Sequence, residues 1–153
     1  MLAASQFGIP DDGLTELVLP NDLRAAREPG ERILRELQRN HYAAEVVFAI
    51  KLALEEALTN AIKHGNGGDK SKRLWVRYFV DPQRVLIMVR DQGQGFRPSC
   101  VPDCTADENL ERPSGRGIML MHAYMTRICY NDEGNEVWMY RENREHPSER
   151  PKP

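Results

Sequence analysis

The sequence lacks most of the features that mark secreted, membrane-bound and nucleic-acid-binding chains. Its 153 residues include only three cysteines, an odd number that favours a reducing compartment over a disulfide scaffold. No run approaches the roughly 20 apolar residues of a membrane span, and the first ten residues lack the positive start and long apolar run of a signal peptide. The formal net charge is -2, with no basic run that would bind a phosphate backbone. We therefore expect a cytoplasmic protein that binds no membrane and no nucleic acid directly.

What the sequence does contain is enough apolar residues for one globular domain. Hydrophobic residues make up 41% of the chain and charged residues 29%, which is typical of a soluble fold with its own core. Alternating and β-branched patterns predict five strands, over residues 14–19, 74–80, 84–90, 127–130 and 136–140. Apolar spacings of three and four predict three helices, over residues 23–40, 43–64 and 118–125.

The order of these elements predicts an α+β fold. Because several consecutive strands are joined by short turns, we expect a two-layer α/β sandwich whose sheet is mixed but mostly antiparallel, with helices on one face. Pro29 and Gly30 fall inside the first predicted helix, so that helix either forms two pieces or starts later, near Glu31. We assign residues 14–141 to the domain, residues 1–13 to an irregular, flexible N-terminus and residues 142–153 to a disordered tail.

The most strongly helical stretch ends in a row of polar residues. Glu56, Asn60 and His64 follow one another at intervals of four, so on an α-helix they share one face. Gly65 and Asn66 then form a typical helix stop. Taken alone, a carboxylate, an amide and an imidazole at this spacing more often form a solvated helix face than a site.

An aspartate and two glycines follow the second strand of the predicted hairpin. Asp91 can accept a hydrogen bond from an exocyclic amine, and Gly93 and Gly95 allow the backbone to approach a flat ligand. A plain turn explains so short a motif equally well.

A second pair of glycines, Gly115 and Gly117, stands before the last predicted helix. The free N–H groups of a helix N-terminus suit a phosphate, although ordinary loop glycines are the alternative. The preceding residues, 96–114, have no periodicity and contain three prolines, which is typical of a functional loop or a lid.

Together and in this order, the three motifs resemble the N box and the first two glycine boxes of the GHKL ATPases, which share the Bergerat fold. The likeness covers roughly residues 14–140. It is nearest to the bacterial anti-sigma factor serine/threonine kinases, whose N box is similar to residues 56–65.

The resemblance implies roles for the polar residues. Asn60 would coordinate Mg²⁺, and Glu56 would be the base that takes the proton from an incoming seryl hydroxyl. Asp91 would accept from the adenine amino group, while Gly93 and Gly95 would let the chain pass close to the base.

The same resemblance implies a phosphate site and two cofactors, ATP and Mg²⁺. Residues 96–114 would form the ATP lid. The phosphates would be held at Ser114, Gly115, Arg116 and Gly117. His64 is included among the nucleotide-binding residues as a neighbour of the N box.

The implied function is an ATP-binding anti-sigma regulatory factor. It would sequester a sigma factor and phosphorylate a serine or threonine of a STAS-type anti-anti-sigma partner, and it would form a homodimer as its relatives commonly do. The alternative is a nucleotide-binding partner-switch module without kinase activity. Two departures motivate it: Asn135 stands where the family commonly has threonine, and Pro113 where it often has arginine.

Two weaker interpretations remain open. A histidine-kinase catalytic fragment is the third candidate, although the chain has no helical hairpin carrying a phosphoacceptor histidine. Cys100 and Cys104 could form half of a metal site or a redox pair, but no flanking histidine completes a set of four ligands.

Overall fold

A five-stranded antiparallel sheet forms the centre of the computed structural model, which describes residues 2–93 and 125–144. The strands are β1 (Thr15–Pro20), β2 (Arg73–Val80), β3 (Arg84–Arg90), β4 (Arg127–Tyr130) and β5 (Glu136–Glu142). Their order across the sheet is β1-β2-β3-β5-β4. Two helices, α1 (Arg27–Arg39) and α2 (Ala44–Thr59), connect β1 to β2.

The predicted α+β sandwich is confirmed, and its sheet is more regular than expected. All four pairings between the described strands are antiparallel, where we expected a mixed sheet. The physical reason is the position of β5, which pairs with both β3 and β4. These two strands run in the same direction but are separated by β5, so they form no parallel pair.

The helices cover one face of the sheet and bury its main core. Ile33 and Leu37 of α1 and Ile50 of α2 are almost fully buried together with the inward-facing residues Val76 and Ile87 of the central strands. Each such side chain contributes about 1.5–3 kcal/mol of hydrophobic stabilisation. This packing fixes α2 across the sheet and so determines where its C-terminal end lies.

Helix α1 begins at Arg27, later than the predicted start at residue 23. Pro29 lies in its first turn, where backbone N–H groups have no partner within the helix, so the proline is tolerated there. A hydrogen-bonded turn, in which Ala26 N donates to Asp22 O at 3.1 Å, precedes the helix. Neither predicted alternative is observed as stated, because the helix starts before Glu31 and keeps Pro29 and Gly30 inside one continuous element.

The end of α2 differs from the predicted regular helix over residues 43–64. Regular α-helix ends at Thr59, and Asn60–Gly65 forms a wider π-helical turn. The wider turn is closed by a hydrogen bond from Asn66 N to Ala61 O at 2.8 Å. Single π turns of this kind are often found at functional sites.

The N-terminal segment packs against the opposite face of the sheet. Two short 3₁₀ turns, Ala4–Phe7 and Asp11–Gly13, lie in this segment, and the second coincides with the turn that its Asp-Asp-Gly sequence indicates. Phe7 is 5% exposed and stacks on Trp138 and Tyr140, with ring centroids 6.1 and 5.7 Å away. The reason is that β3 and β5 carry apolar side chains on both faces, so the second face also needs a cover. The buried residues of this second cluster are Ala4, Phe7, Ile9, Leu86, Met88 and Trp138.

Several predicted features lie outside the described residues. They are most of the helix over 118–125, the lid over 96–114 and nearly all of the tail over 142–153. Across residues 2–93 and 125–144, no helix has the length and apolar character needed to cross a bilayer.

Candidate functional site

The end of α2 and the end of β3 meet at a contact that only glycine permits. Gly65 closes the π turn, and Asp91 directly follows β3. A Cβ atom on Gly65 would lie 2.7 Å from Asp91 Oδ1 and still closer to Asp91 Oδ2, well inside van der Waals contact. A Cβ atom on Gly93 would lie 2.9 Å from Asp91 Oδ1 and would overlap the carbonyl of Gly65. Two glycines, from two different predicted motifs, therefore enclose one carboxylate.

Asp91 is a buried carboxylate with few partners. It is 8% exposed, and its Oδ1 accepts one hydrogen bond, from Gly93 N at 2.8 Å. Burial raises the pKa of Asp91 above its ordinary value, while the Gly93 N–H, Lys72 and Arg90 act in the opposite direction and lower that pKa. Such a group is well suited to accept a hydrogen bond from a ligand, because a further donor would compensate part of its desolvation.

Asn135, in the turn between β4 and β5, contacts the backbone of Asp91 and Gly93. Its carbonyl accepts the Asp91 N–H at 2.9 Å, and its Nδ2 donates to Gly93 O at 3.5 Å. Its Oδ1 accepts a hydrogen bond from Asn131 Nδ2 at 2.7 Å. The asparagine that departs from the family pattern thus belongs to the wall around Asp91, with its amide engaged within the protein.

A buried asparagine holds the other side of the same turn. Asn66 is 2% exposed, and its Oδ1 accepts the Gln92 N–H at 2.7 Å. Its Nδ2 donates to Asn21 Oδ1 at 3.1 Å and to Arg73 O at 3.0 Å. One side chain therefore ties the end of α2 to the chain after β1, to the start of β2 and to the turn after β3.

Glu56 and Asn60 lie on the same helix end and are partly buried. Neither side chain makes a hydrogen bond or an ion pair with any residue in 2–93 or 125–144. The amide oxygen of Asn60 is therefore available to a hard cation, and the carboxylate of Glu56 to a proton donor. His64 is exposed and lies within the π turn, so the regular α-helical row predicted for the three residues holds only from Glu56 to Asn60.

The described residues include only part of the predicted site. The residues predicted to hold the nucleotide phosphates, together with the second glycine of the Asp91 motif, lie outside the described residues; they are Gly95, Ser114, Gly115, Arg116 and Gly117. Cys100 and Cys104 also lie outside them. Among residues 2–93 and 125–144, the site included, no group of three or more His, Cys, Asp or Glu residues could hold a metal ion.

Two contributors to this site were not predicted as site residues. Gly65 was interpreted as a helix stop, yet it does not adopt the left-handed conformation, unlike Gly67 and Gly68. Gly65 is required for the space that Asp91 occupies. Asn66 was interpreted as part of the same stop, and no local signal marks a hydrogen bond to a residue 26 positions away.

A sequence profile of the histidine kinase-like ATPase domain matches residues 19–141, which is well over half of the chain. The chain belongs to this family. The GHKL resemblance seen in the sequence is thereby confirmed, and the motifs around Glu56, Asn60 and Asp91 fall within the matched region.

This member of the histidine kinase-like ATPase domain family is similar to named bacterial proteins. It is 29% identical to the serine-protein kinase RsbW of Listeria monocytogenes over 108 residues, covering 66% of this chain and 69% of that protein. It is 32% identical to the anti-sigma F factor of Anoxybacillus flavithermus over 90 residues, covering 57% of this chain and 61% of that protein.

A solved structure supports the fold. The RsbU and RsbW domains of Rv1364c from Mycobacterium tuberculosis align with 86% of this chain at a TM-score of 0.56 and 18% identity. The alignment covers 32% of that longer chain. At this identity the likeness concerns architecture alone.

Proposed function

We propose that the protein is an ATP-binding anti-sigma regulatory factor with serine/threonine kinase activity. It would sequester a sigma factor and phosphorylate a STAS-type anti-anti-sigma partner. The observation that carries the proposal is the convergence of a buried, glycine-enclosed carboxylate, Asp91, with the helix end that bears Glu56 and Asn60. Relatives named as a serine-protein kinase and as an anti-sigma factor support it.

Asp91 would recognise the adenine base. A carboxylate accepts hydrogen bonds but cannot donate them when ionised, so it favours the 6-amino group of adenine over a 6-oxo group. The absence of side chains at Gly65 and Gly93 leaves the space that the Asp91 carboxylate occupies at the end of β3. Gly95 would extend this backbone surface.

Asn60 would hold Mg²⁺ together with the phosphates, since its amide oxygen has no partner among the described residues and is a hard ligand. The metal would supply charge neutralisation at the transferring phosphoryl group. Ser114, Gly115, Arg116 and Gly117 would bind the phosphates beneath a lid formed by residues 96–114, and His64 would border the site.

Glu56 would act as the general base. It lies one helical turn before Asn60 and is partly buried without a hydrogen-bond partner in the described residues. It would take the proton of a seryl hydroxyl as that oxygen forms a bond to the γ-phosphorus and the bond to the bridging β–γ oxygen breaks. ADP and the phosphoserine partner are the products.

The remaining assignments complete the proposal. Residues 14–141 would form the kinase domain, whose last strand β5 continues to Glu142, and two copies would form a homodimer in the cytoplasm. No direct contact with nucleic acid or a membrane is required.

The test compares two neighbouring glutamates of α2. Each variant is incubated with Mg²⁺, γ-labelled ATP and each purified STAS-domain protein from the same genome, and phosphoserine is measured. We expect Glu56→Gln to lower phosphoryl transfer by about 100-fold or more, the scale of a lost general base, with ADP affinity changed less than about threefold. Glu55→Gln is the matched control, because Glu55 is exposed and faces the groove between α1 and α2.

Two results would refute the kinase assignment. One is full transfer by Glu56→Gln, and the other is ATP binding by the unaltered protein with no phosphoserine on any STAS protein. The second result would favour the partner-switch module without kinase activity. That alternative is supported by Asn135, whose amide is engaged with Asn131 and Gly93.

A further inference from the structure

Two hydrogen bonds bracket the backbone of Asp91. On the preceding side, its own N–H is bound by Asn135 O at 2.9 Å. On the following side, the N–H of Gln92 is bound by Asn66 Oδ1 at 2.7 Å. The first bond comes from the backbone of the turn before β5, whereas the second comes from a side chain at the end of α2.

Only the second of these two hydrogen bonds is made by a side chain, so a substitution can remove it. Asn66 is 2% exposed, and three of its hydrogen-bonding positions are used, by Gln92, Asn21 and Arg73. A buried amide with this many partners has a fixed orientation, since any rotation would leave several polar groups unpaired. The position of its oxygen is therefore imposed on the peptide that follows Asp91.

We propose that Asn66 is a positioning residue for base recognition, holding the Asp91–Gln92 peptide so that the Asp91 carboxylate faces the 6-amino group of adenine. This inference rests on the proposed nucleotide-binding function and goes beyond it, because Asn66 itself touches no ligand. Loss of the Asn66 side chain removes the hydrogen bond that holds the peptide after Asp91. The orientation of the Asp91 carboxylate is then no longer fixed from that side.

Asn21 provides a matched control within the same network. It is 4% exposed, accepts from Asn66 Nδ2 at 3.1 Å and donates to Asp69 O at 2.9 Å. Removing its side chain therefore also leaves buried polar groups unpaired. The Asn21 substitution leaves the hydrogen bond between Asn66 and Gln92 in place. It therefore distinguishes a general loss of stability from a changed orientation of the Asp91 carboxylate.

The test measures base selectivity on the full chain. Affinities for Mg-ADP and Mg-IDP are determined by calorimetry at a temperature where each variant is folded, as judged from its melting curve. The two nucleotides share their phosphates and ribose and differ on one edge of the base, where ADP has a 6-amino group and an unprotonated N1 and IDP has a 6-carbonyl group and a protonated N1. The ratio of the two Kd values therefore reports the orientation of the Asp91 carboxylate. A merely structural role of Asn66 would leave this ratio unchanged.

We expect the unaltered protein to prefer ADP by about tenfold or more, as for a hydrogen bond to a charged acceptor. Asn66→Ala should reduce this preference to about twofold, and Asn21→Ala should retain it within about twofold of the unaltered protein. Asn66→Ser is measured in parallel as a second variant that keeps a small polar group. Its shorter side chain cannot reach the Gln92 N–H, so the same loss is expected.

The outcomes that overturn the inference differ from those that overturn the proposed function. If the unaltered protein prefers ADP and the Asn66 variants keep that preference, Asn66 does not position Asp91. The same conclusion follows if the Asn66 variants bind ADP and IDP more weakly by the same factor. If the unaltered protein binds ADP and IDP equally, adenine recognition by Asp91 is wrong, and the positioning role is overturned with it.

Discussion

Replacing Gly65 with alanine should displace the carboxylate of Asp91 while leaving the fold intact. The added methyl group would lie 2.7 Å from Asp91 Oδ1 and closer to Oδ2, against an ordinary contact of 3.4 Å or more. The carboxylate must therefore move by about 0.7 Å at Oδ1 and by more at Oδ2. Gly65 does not have a positive φ, so alanine is compatible with its backbone conformation. The clash with Asp91 is therefore the main new contribution to the free energy of the variant.

The expected magnitudes follow from this displacement. Insertion of a methyl group into a packed region costs about 1–3 kcal/mol of folding free energy. A displaced acceptor loses a charge-assisted hydrogen bond worth about 1.5–3 kcal/mol, which is roughly a 10- to 150-fold increase in Kd for ADP. Binding and stability should therefore both be weakened, by similar free energies.

Gly30→Ala is the control for this experiment. An added Cβ atom at Gly30 in α1 meets nothing within 4 Å, so the substitution should raise stability by up to about 1 kcal/mol through helix propensity and leave binding unchanged. Calorimetric titration with ADP and urea unfolding measure the two quantities. An ADP affinity for Gly65→Ala within about twofold of the unaltered protein would refute the proposed role of the Gly65–Asp91 contact.

Two further perturbations separate the site from the scaffold. Because burial raises the pKa of Asp91 from 3.8, the folded state binds this proton more tightly than the unfolded state, and the associated stability is lost as pH rises through the raised value. Urea unfolding over a pH series should show Asp91→Asn gaining stability relative to the unaltered protein over that interval, with weaker ADP binding; a pH-independent difference would contradict the assignment. Phe7→Ala, which removes the ring stacked on Trp138 and Tyr140, should cost about 3–5 kcal/mol in thermal or urea unfolding without changing ADP affinity in the folded protein. Phe48→Ala is its control, since Phe48 is 60% exposed and should lose less than about 1 kcal/mol.

Much of the sheet could be predicted from local pattern. The strands over residues 84–90 and 127–130 appear with the predicted bounds, because alternation and short turns are properties of neighbouring residues. The helix bounds were less accurate. Pro29 is placed in a first turn only once the packing of α1 is known, and the π turn at Asn60–Gly65 has no local signature.

The candidate site was likewise predicted only in part from local patterns in the sequence. Glu56, Asn60 and Asp91 were identified from motifs whose own residues lie within a few positions of each other, and the order of these motifs along the chain indicated the family. The packing of the N-terminal segment was not predicted, because the apolar face that it covers is formed by strands about 80 and 130 residues away. Its burial depends on the assembled sheet.

The sequence by itself therefore determined the fold class, the family and the chemical types of the site residues, since these are recorded in short-range spacing. Only the tertiary structure decided that Gly65 is required for space, that Asn66 binds the turn after β3, and that Asn135 completes the wall around Asp91. These contacts join residues 26 to 44 positions apart. Such distances are closed by the packing of α2 on the sheet and by the pairing of β3 with β5, which no local pattern specifies.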